Sequence, residues 1–427
     1  MDYDLRIAGG TIVDGTGAPG VRGDVGIRAG RVAALGAVPG TAAETIDAGG
    51  RIVAPGFVDV HTHYDAQVLW DRRLSISPWH GVTTVVIGNC GFGVAPTRPA
   101  HRSLILRTLE KVEGMSLEAL EAGLGADWPF ETFPQYLDAV ERRGMAINVA
   151  AFVGHTPVRL YVMGEEATER AATAEEIARM RALVREALDA GAVGFATSKS
   201  PTHVGYDGKP VPSRVAELDE IRALASTLGE AGRGVMQATV GPGFFLDQFA
   251  GLARDIGRPI TWTALLAGML GPGSHRMLLE RSAELVRQGL AIVPQVSCRP
   301  LNFDFDMAEP FTLEVLPPFK AVSAADRDGK MRIYRDPDFR RTLKDLLASG
   351  GAGPFGDAWG RTWISSCPLE PALEERRLDD VARARGVDPV DLLLDLSLAS
   401  GLTARFRMAI VNYVEDEVAE LLVDKHT

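Results

Sequence analysis

Seven short apolar runs, each leading into a helical or loop stretch, dominate the middle of this 427-residue chain. They are GFVDVH (56–61), TTVVIG (83–88), INVAAFVG (147–154), AVGFAT (192–197), GVMQATV (234–240), PITWTALL (259–266) and LAIVPQVS (290–297). Near-continuous apolar strands belong in a sheet covered on both faces, and strand–helix alternation is the pattern of parallel strands joined by crossovers. The stretch TAEEIARMRALVREALDAG marks one crossover helix: Thr173 as N-cap, glutamates in the first turn, Gly191 at the end. Seven such units predict an α/β fold, a TIM-type (β/α)8 barrel missing its last strand. No eighth strand is legible before Thr427, so a truncated chain and an incomplete barrel are the expectation.

Residues 1–55 follow a different rule. DLRIAGGTIVDG, GDVGIRAGRVAALG and ETIDAGGRIVAPG are short β runs broken at glycines, the pattern of part of a small β-sandwich domain. Such a segment is too small to bury much surface alone. The predicted organisation is therefore 1–55 as the N-terminal part of a β-sandwich and 56–427 as the barrel. Within the latter, 300–405 reads as a largely helical or irregular insertion.

Composition excludes several classes. A formal net charge of -11 with no Lys/Arg cluster argues against a nucleic-acid partner. No apolar run is long enough to cross a bilayer, and the N-terminus MDYDLRIAGG lacks the features of a signal peptide, so no membrane partner is expected. Three cysteines, Cys90, Cys298 and Cys367, do not make a disulfide framework and point to a reducing, cytoplasmic setting. The glycine turns GPGFF and GPGSH lack a phosphate-binding Lys-Ser/Thr. A homo-oligomer is compatible with all of this.

Chemistry concentrates at FVDVHTHYDAQ. On a strand, positions i and i+2 share a face, so His61 and His63 point together at the carboxyl end of the first barrel strand. Such a pair can bind a divalent metal or simply hydrogen-bond at a strand end. Cys90, in GVTTVVIGNCGFGVAP, lies just past the next strand between glycines, where it can approach the histidines. A thiolate is a good zinc ligand, although a buried cysteine is also common in cores.

These stretches, with FVGHTPVRLYVMG and GAVGFATS, resemble the amidohydrolase superfamily, and within it the N-acyl-D-amino-acid deacylases (D-aminoacylases). The opening stretch, residues 4–36, also resembles that family's N-terminal β-sandwich half. The most specific motif is Gly88-Asn89-Cys90-Gly91, because this branch bridges its metals with a cysteine. The resemblance implies zinc held by His61, His63 and Cys90, and hydrolysis of an N-acyl-D-amino acid by a metal-activated water. It also implies a proton-shuttling aspartate, expected beyond Thr427, so no catalytic acid is assigned within the chain.

The chain departs from the family at two strands that normally supply histidines. VMQATVGPG and ITWTALLAG hold Gln237, Thr239, Trp262 and Thr263 instead. Amide and hydroxyl oxygens are poor zinc ligands beside imidazole, so one ion is expected rather than two. This leaves room for a hydrolase of cyclic or other small amides, or for a catalytically impaired relative. Substrate-side candidates are His155 with Arg159, after the third strand, and Arg299, whose guanidinium suits a substrate carboxylate. Each has a structural alternative: His155 as a hydrogen-bonding residue, Arg299 as a surface arginine. Asp65 reads as an orienting partner of a histidine or as a loop cap. Lys199 is the lysine another amidohydrolase branch would carboxylate. His80, His203, His275 and His426 read as loop or helix-end residues.

Overall fold

The computed structural model describes residues 1–310, 313–352, 355, 356 and 358–427. Two compact units are distinguished, one of 1–59 with 76–84 and one of 60–75 with 85–427.

The first unit is built on a five-stranded sheet. Strand β1 (Tyr3–Ile12) pairs antiparallel with β2 (Val21–Arg28) and parallel with β4 (Ala42–Asp47) and β5 (Ile52–Val53). Strand β3 (Arg31–Gly36) returns along β2 through Ala29 and Gly30, both at positive φ, as a tight two-residue hairpin requires. Asp24 ties β2 to β1 by pairing with Arg6 and accepting the Gly9 N–H at 2.7 Å. These are the strands the glycine-punctuated runs predict.

The barrel sheet contains seven strands in chain order: β6 (Phe57–Asp59), β7 (Val82–Ile87), β8 (Asn148–Gly154), β9 (Gly194–Ser198), β10 (Val235–Thr239), β11 (Ile260–Thr263) and β12 (Ile292–Pro294). Each lies within or against one of the seven predicted runs. From β8 to β12 the pairing is parallel, with Phe195 opposite Met236 and Ala238 opposite Trp262. The α/β barrel-type fold expected from the alternation is what the chain forms.

The crossover helices form for the reasons the sequence gives. Ala174–Asp189 starts at a capping box in which the Thr173 side chain accepts from Glu176 N and Glu176 reaches back to Thr173 N. It turns Met180, Val184, Ala187 and Leu188 inward, a stripe with helical spacing. Among the described residues no helix is long and apolar enough to cross a membrane.

Beyond β12 the structure is more ordered than a helical or irregular insertion. β13 (Leu301–Asp306), β14 (Thr362–Ser366) and β15 (Arg405–Val411) form an antiparallel sheet in the order β13-β15-β14. Five residues of the expected 300–405 insertion lie outside the described residues. Phe305, Phe319, Tyr334, Leu378, Leu394 and Phe406 make the sheet one wall of a separate apolar core. Replacing the fully buried Phe406 by alanine is expected to cost about 3–5 kcal/mol, read as a lower denaturant midpoint.

Candidate metal centre

Chain just past β6 keeps the strand alternation: Thr62 turns away and is buried while His61 and His63 share the other side. Thr62 fixes this register with two bonds to the Val86 carbonyl, from its N–H at 3.0 Å and its hydroxyl at 2.8 Å. The result is close contact between two imidazoles, Nε2 to Nε2 at 3.2 Å.

Cys90 reaches the pair through an unusual turn. After β7 the backbone enters the left-handed region at Gly88 (φ 80°), Cys90 (φ 55°) and Gly91 (φ 73°). A Cβ on Gly88 would stand 2.2 Å from the Phe152 carbonyl oxygen, and one on Gly91 2.9 Å from Thr197 Cα. The two glycines thus let the turn press against the ends of β8 and β9, with cysteine held between them at a strained φ. Its Sγ lies 3.3 Å from His61 Nε2.

The three donors, two nitrogens and one sulfur, lie within 4.8 Å of one another. A tetrahedral zinc with Zn–N of about 2.0–2.1 Å and Zn–S of about 2.3 Å sets its ligands roughly 3.3–3.6 Å apart. The observed 3.2 Å and 3.3 Å separations are close to those edges. The pocket's buried polar atoms fit a cation too: Asp65 Oδ2 has no hydrogen-bond partner.

Electrostatics agree. Burial pushes the Cys90 thiol up to about 12, with nearby Asp65 adding to the rise. Burial also raises Asp65 to about 7 and lifts Glu113 well above the carboxylate range, Cys90 contributing to the latter. His63 is pushed well below the usual imidazole value by burial and then by His61 and His203. Three acids and the His63 imidazole are thus driven toward their neutral forms, and a divalent cation is the charge that would let the thiol ionise.

Three residues of this pocket are not legible as site residues from sequence. Glu113, last in the helix Arg102–Glu113, puts Oε1 3.4 Å from His63 Nδ1. Gln295, just past β12, puts Oε1 2.6 Å from His61 Nδ1. His203, expected as a loop residue, stacks on Phe92 at 4.9 Å with its Nδ1 2.7 Å from Ser198 Oγ. Only Gln295 carries a local signal, a polar residue closing a strand run.

His155 and Arg159 are not brought into the cluster. Both are fully buried around Glu220, each 2.8 Å from its Oε1. Arg159 spends its other donors on the carbonyls of Ala167, Pro212 and Arg170, and His155 Nδ1 meets Thr197 Oγ1 at 2.8 Å. The network braces the strand end on which the Gly91 turn leans, and it engages both ring nitrogens of His155 and four N–H groups of Arg159. Arg299 is exposed, with its backbone held by Ser297 and Asn412. Lys199 donates to the carbonyls of Arg214 and Ala216, at 2.5 Å and 2.7 Å. Cys298 is exposed and Cys367 buried, and neither is among the donors of the His61–His63–Cys90 cluster.

A barrel-type α/β sheet with a His-x-His pair and a thiol at its carboxyl edge defines a class of metal-dependent hydrolases. The chain belongs to the amidohydrolase family, whose profile matches residues 44–396. It is 43% identical over 407 residues to a D-aminoacylase of Alcaligenes xylosoxydans xylosoxydans, covering 94% of this chain and 69% of that protein. A crystal structure of D-aminoacylase superposes with a TM-score of 0.64 at 27% identity, covering 98% of this chain and 74% of that one. An N-acyl-D-glutamate deacylase from Bordetella bronchiseptica, solved with zinc and a phosphonate inhibitor, gives 0.63 at 27% identity, covering 99% and 74%.

Gly88→Ala leaves every donor in place but sets a methyl group against the Phe152 carbonyl. It is expected to destabilise the fold by about 2–3 kcal/mol and to reduce bound zinc, checked by denaturation and by elemental analysis.

Proposed function

We propose that this chain is a metal-dependent hydrolase that cleaves the amide bond of N-acyl-D-amino acids, giving a carboxylate and a free D-amino acid. One observation carries the reading: two imidazole nitrogens and a thiol meet at the carboxyl edge of the sheet in a chain this similar to a D-aminoacylase.

His61, His63 and Cys90 would hold the ion. A bound divalent metal supplies Lewis acidity toward the amide carbonyl and lowers the pKa of water. The residues supply the rest. Glu113 Oε1 faces His63 Nδ1 and Gln295 Oε1 faces His61 Nδ1, so each ring has an acceptor behind it and its Nε2 toward the cluster. The buried carboxyl of Asp65 stands beside the cysteine turn, accepting from Gly88 N, with one oxygen unpartnered. Gln237 and Thr263 offer only neutral oxygens where further ligands would be needed, so the centre takes one ion.

Two measurements test this. On matched N-acyl-D- and N-acyl-L-amino acids, turnover is expected for the D series; equal rates on both, or on neither, would remove the proposal. Chelation should abolish turnover and zinc restore it. Cys90→Ala should lose near-stoichiometric zinc and at least about two orders of magnitude in kcat/KM. Zinc content indifferent to Cys90, His61 and His63 would exclude them as ligands.

A further inference from the structure

A chain of hydrogen bonds runs from the backbone of Cys90 to the ring of His61 through three neutral side chains. Its direction can be worked out link by link. A backbone N–H only donates, so Cys90 N–H gives its proton to Gln237 Oε1 at 2.7 Å. That turns the Gln237 Nε2 amide toward Thr263, where it donates to Oγ1 at 3.1 Å. Thr263 has one proton left to give, and it goes to Gln295 Oε1. The same oxygen lies 2.6 Å from His61 Nδ1, and Thr263 Oγ1 lies 3.1 Å from that nitrogen. Two acceptors therefore face Nδ1, which carries the ring proton. Nε2 is left with its lone pair directed at His63 Nε2 and Cys90 Sγ.

We propose that the Gln237–Thr263–Gln295 relay is the positioning device of the centre, holding His61 in the one tautomer that can ligate while pinning the cysteine turn. This rests on the metal-centre reading above. Gln237 belongs to β10 and Thr263 to β11, and Gln295 follows β12, so three strands that supply no metal ligand orient ligands from the far end of the sheet. The relay itself, Gln237, Thr263 and Gln295, contains no ionisable group. Gln237 is fully buried and Gln295 nearly so, so water cannot readily replace a lost link.

The test is zinc affinity of the full chain, measured by competition with a chromophoric chelator. Cobalt substitution adds a readout of the thiolate-to-cobalt band, and circular dichroism checks the fold. Thr263→Val removes the hydroxyl at nearly constant shape, Gln295→Leu removes the acceptor, and Gln295→Glu keeps an oxygen there. The first two are expected to weaken zinc binding about 10–100-fold, while Gln295→Glu binds at least as well as the parent with the cobalt band intact. Should Gln295→Leu not fold, Thr263→Val and Gln295→Glu carry the comparison. Affinities within about twofold of the parent for Thr263→Val would overturn the relay, as would a Gln295→Glu loss matching that of Gln295→Leu. A parent that binds no zinc would overturn the metal-centre reading itself, and the relay with it.

Discussion

The contact on which the site depends is between backbone and backbone. Gly88 and Gly91 bring the turn after β7 so near the ends of β8 and β9 that no Cβ fits at either position. This proximity carries Cys90 Sγ to 3.3 Å from His61 Nε2. Once the turn is seated, the positive φ at Cys90 is held by its surroundings: the Gln237 oxygen on its N–H and the buried His155–Thr197 contact beneath the neighbouring strand. Strain at one residue persists because the fold around it is over-determined.

Burial then sets the charge problem that the site poses. Cys90, Asp65 and Glu113 are all acids in a pocket dry enough to hold them toward their neutral forms. Removing one acid would relieve the others only in part. A divalent ion balances the group at once, and its affinity would then contribute to the stability of the sheet edge, since ligands from two separate strands are tied by one centre.

The fold was largely legible in the sequence because its signals are local. Apolar runs of strand length, a capping box at Thr173 and glycine-punctuated β runs each need only a few neighbouring residues to be read. That His61, His63 and Cys90 come together was legible for the same reason, as spacing at strand ends. The antiparallel sheet beyond β12 was harder. Leu301–Asp306 alternates as a half-buried strand should, but its partner β15 begins about a hundred residues later, and a pairing that distant leaves no trace in spacing. Glu113 was hidden for a related reason. It closes an amphipathic helix, where a glutamate ordinarily means solvent, and only tertiary packing turns it toward His63. Arg159 shows the opposite case: a guanidinium near the site suggested a substrate anchor, yet in the dry interior its donors go to carbonyls and a buried carboxylate.

The positions that looked like losses in the sequence, Gln237 and Thr263, show how a site can lose ligands without losing order. A histidine there would offer a second cation a nitrogen and would have to be desolvated as a charged or half-charged group whenever metal was absent. An amide and a hydroxyl cost less to bury, provided every donor finds an acceptor, and here the donors run in one direction from Cys90 to Gln295 without a break. The geometry of the remaining centre is therefore maintained by groups whose hydrogen bonds exist before any ion arrives. A cluster preorganised in this way would bind a metal without first paying to arrange the ligands.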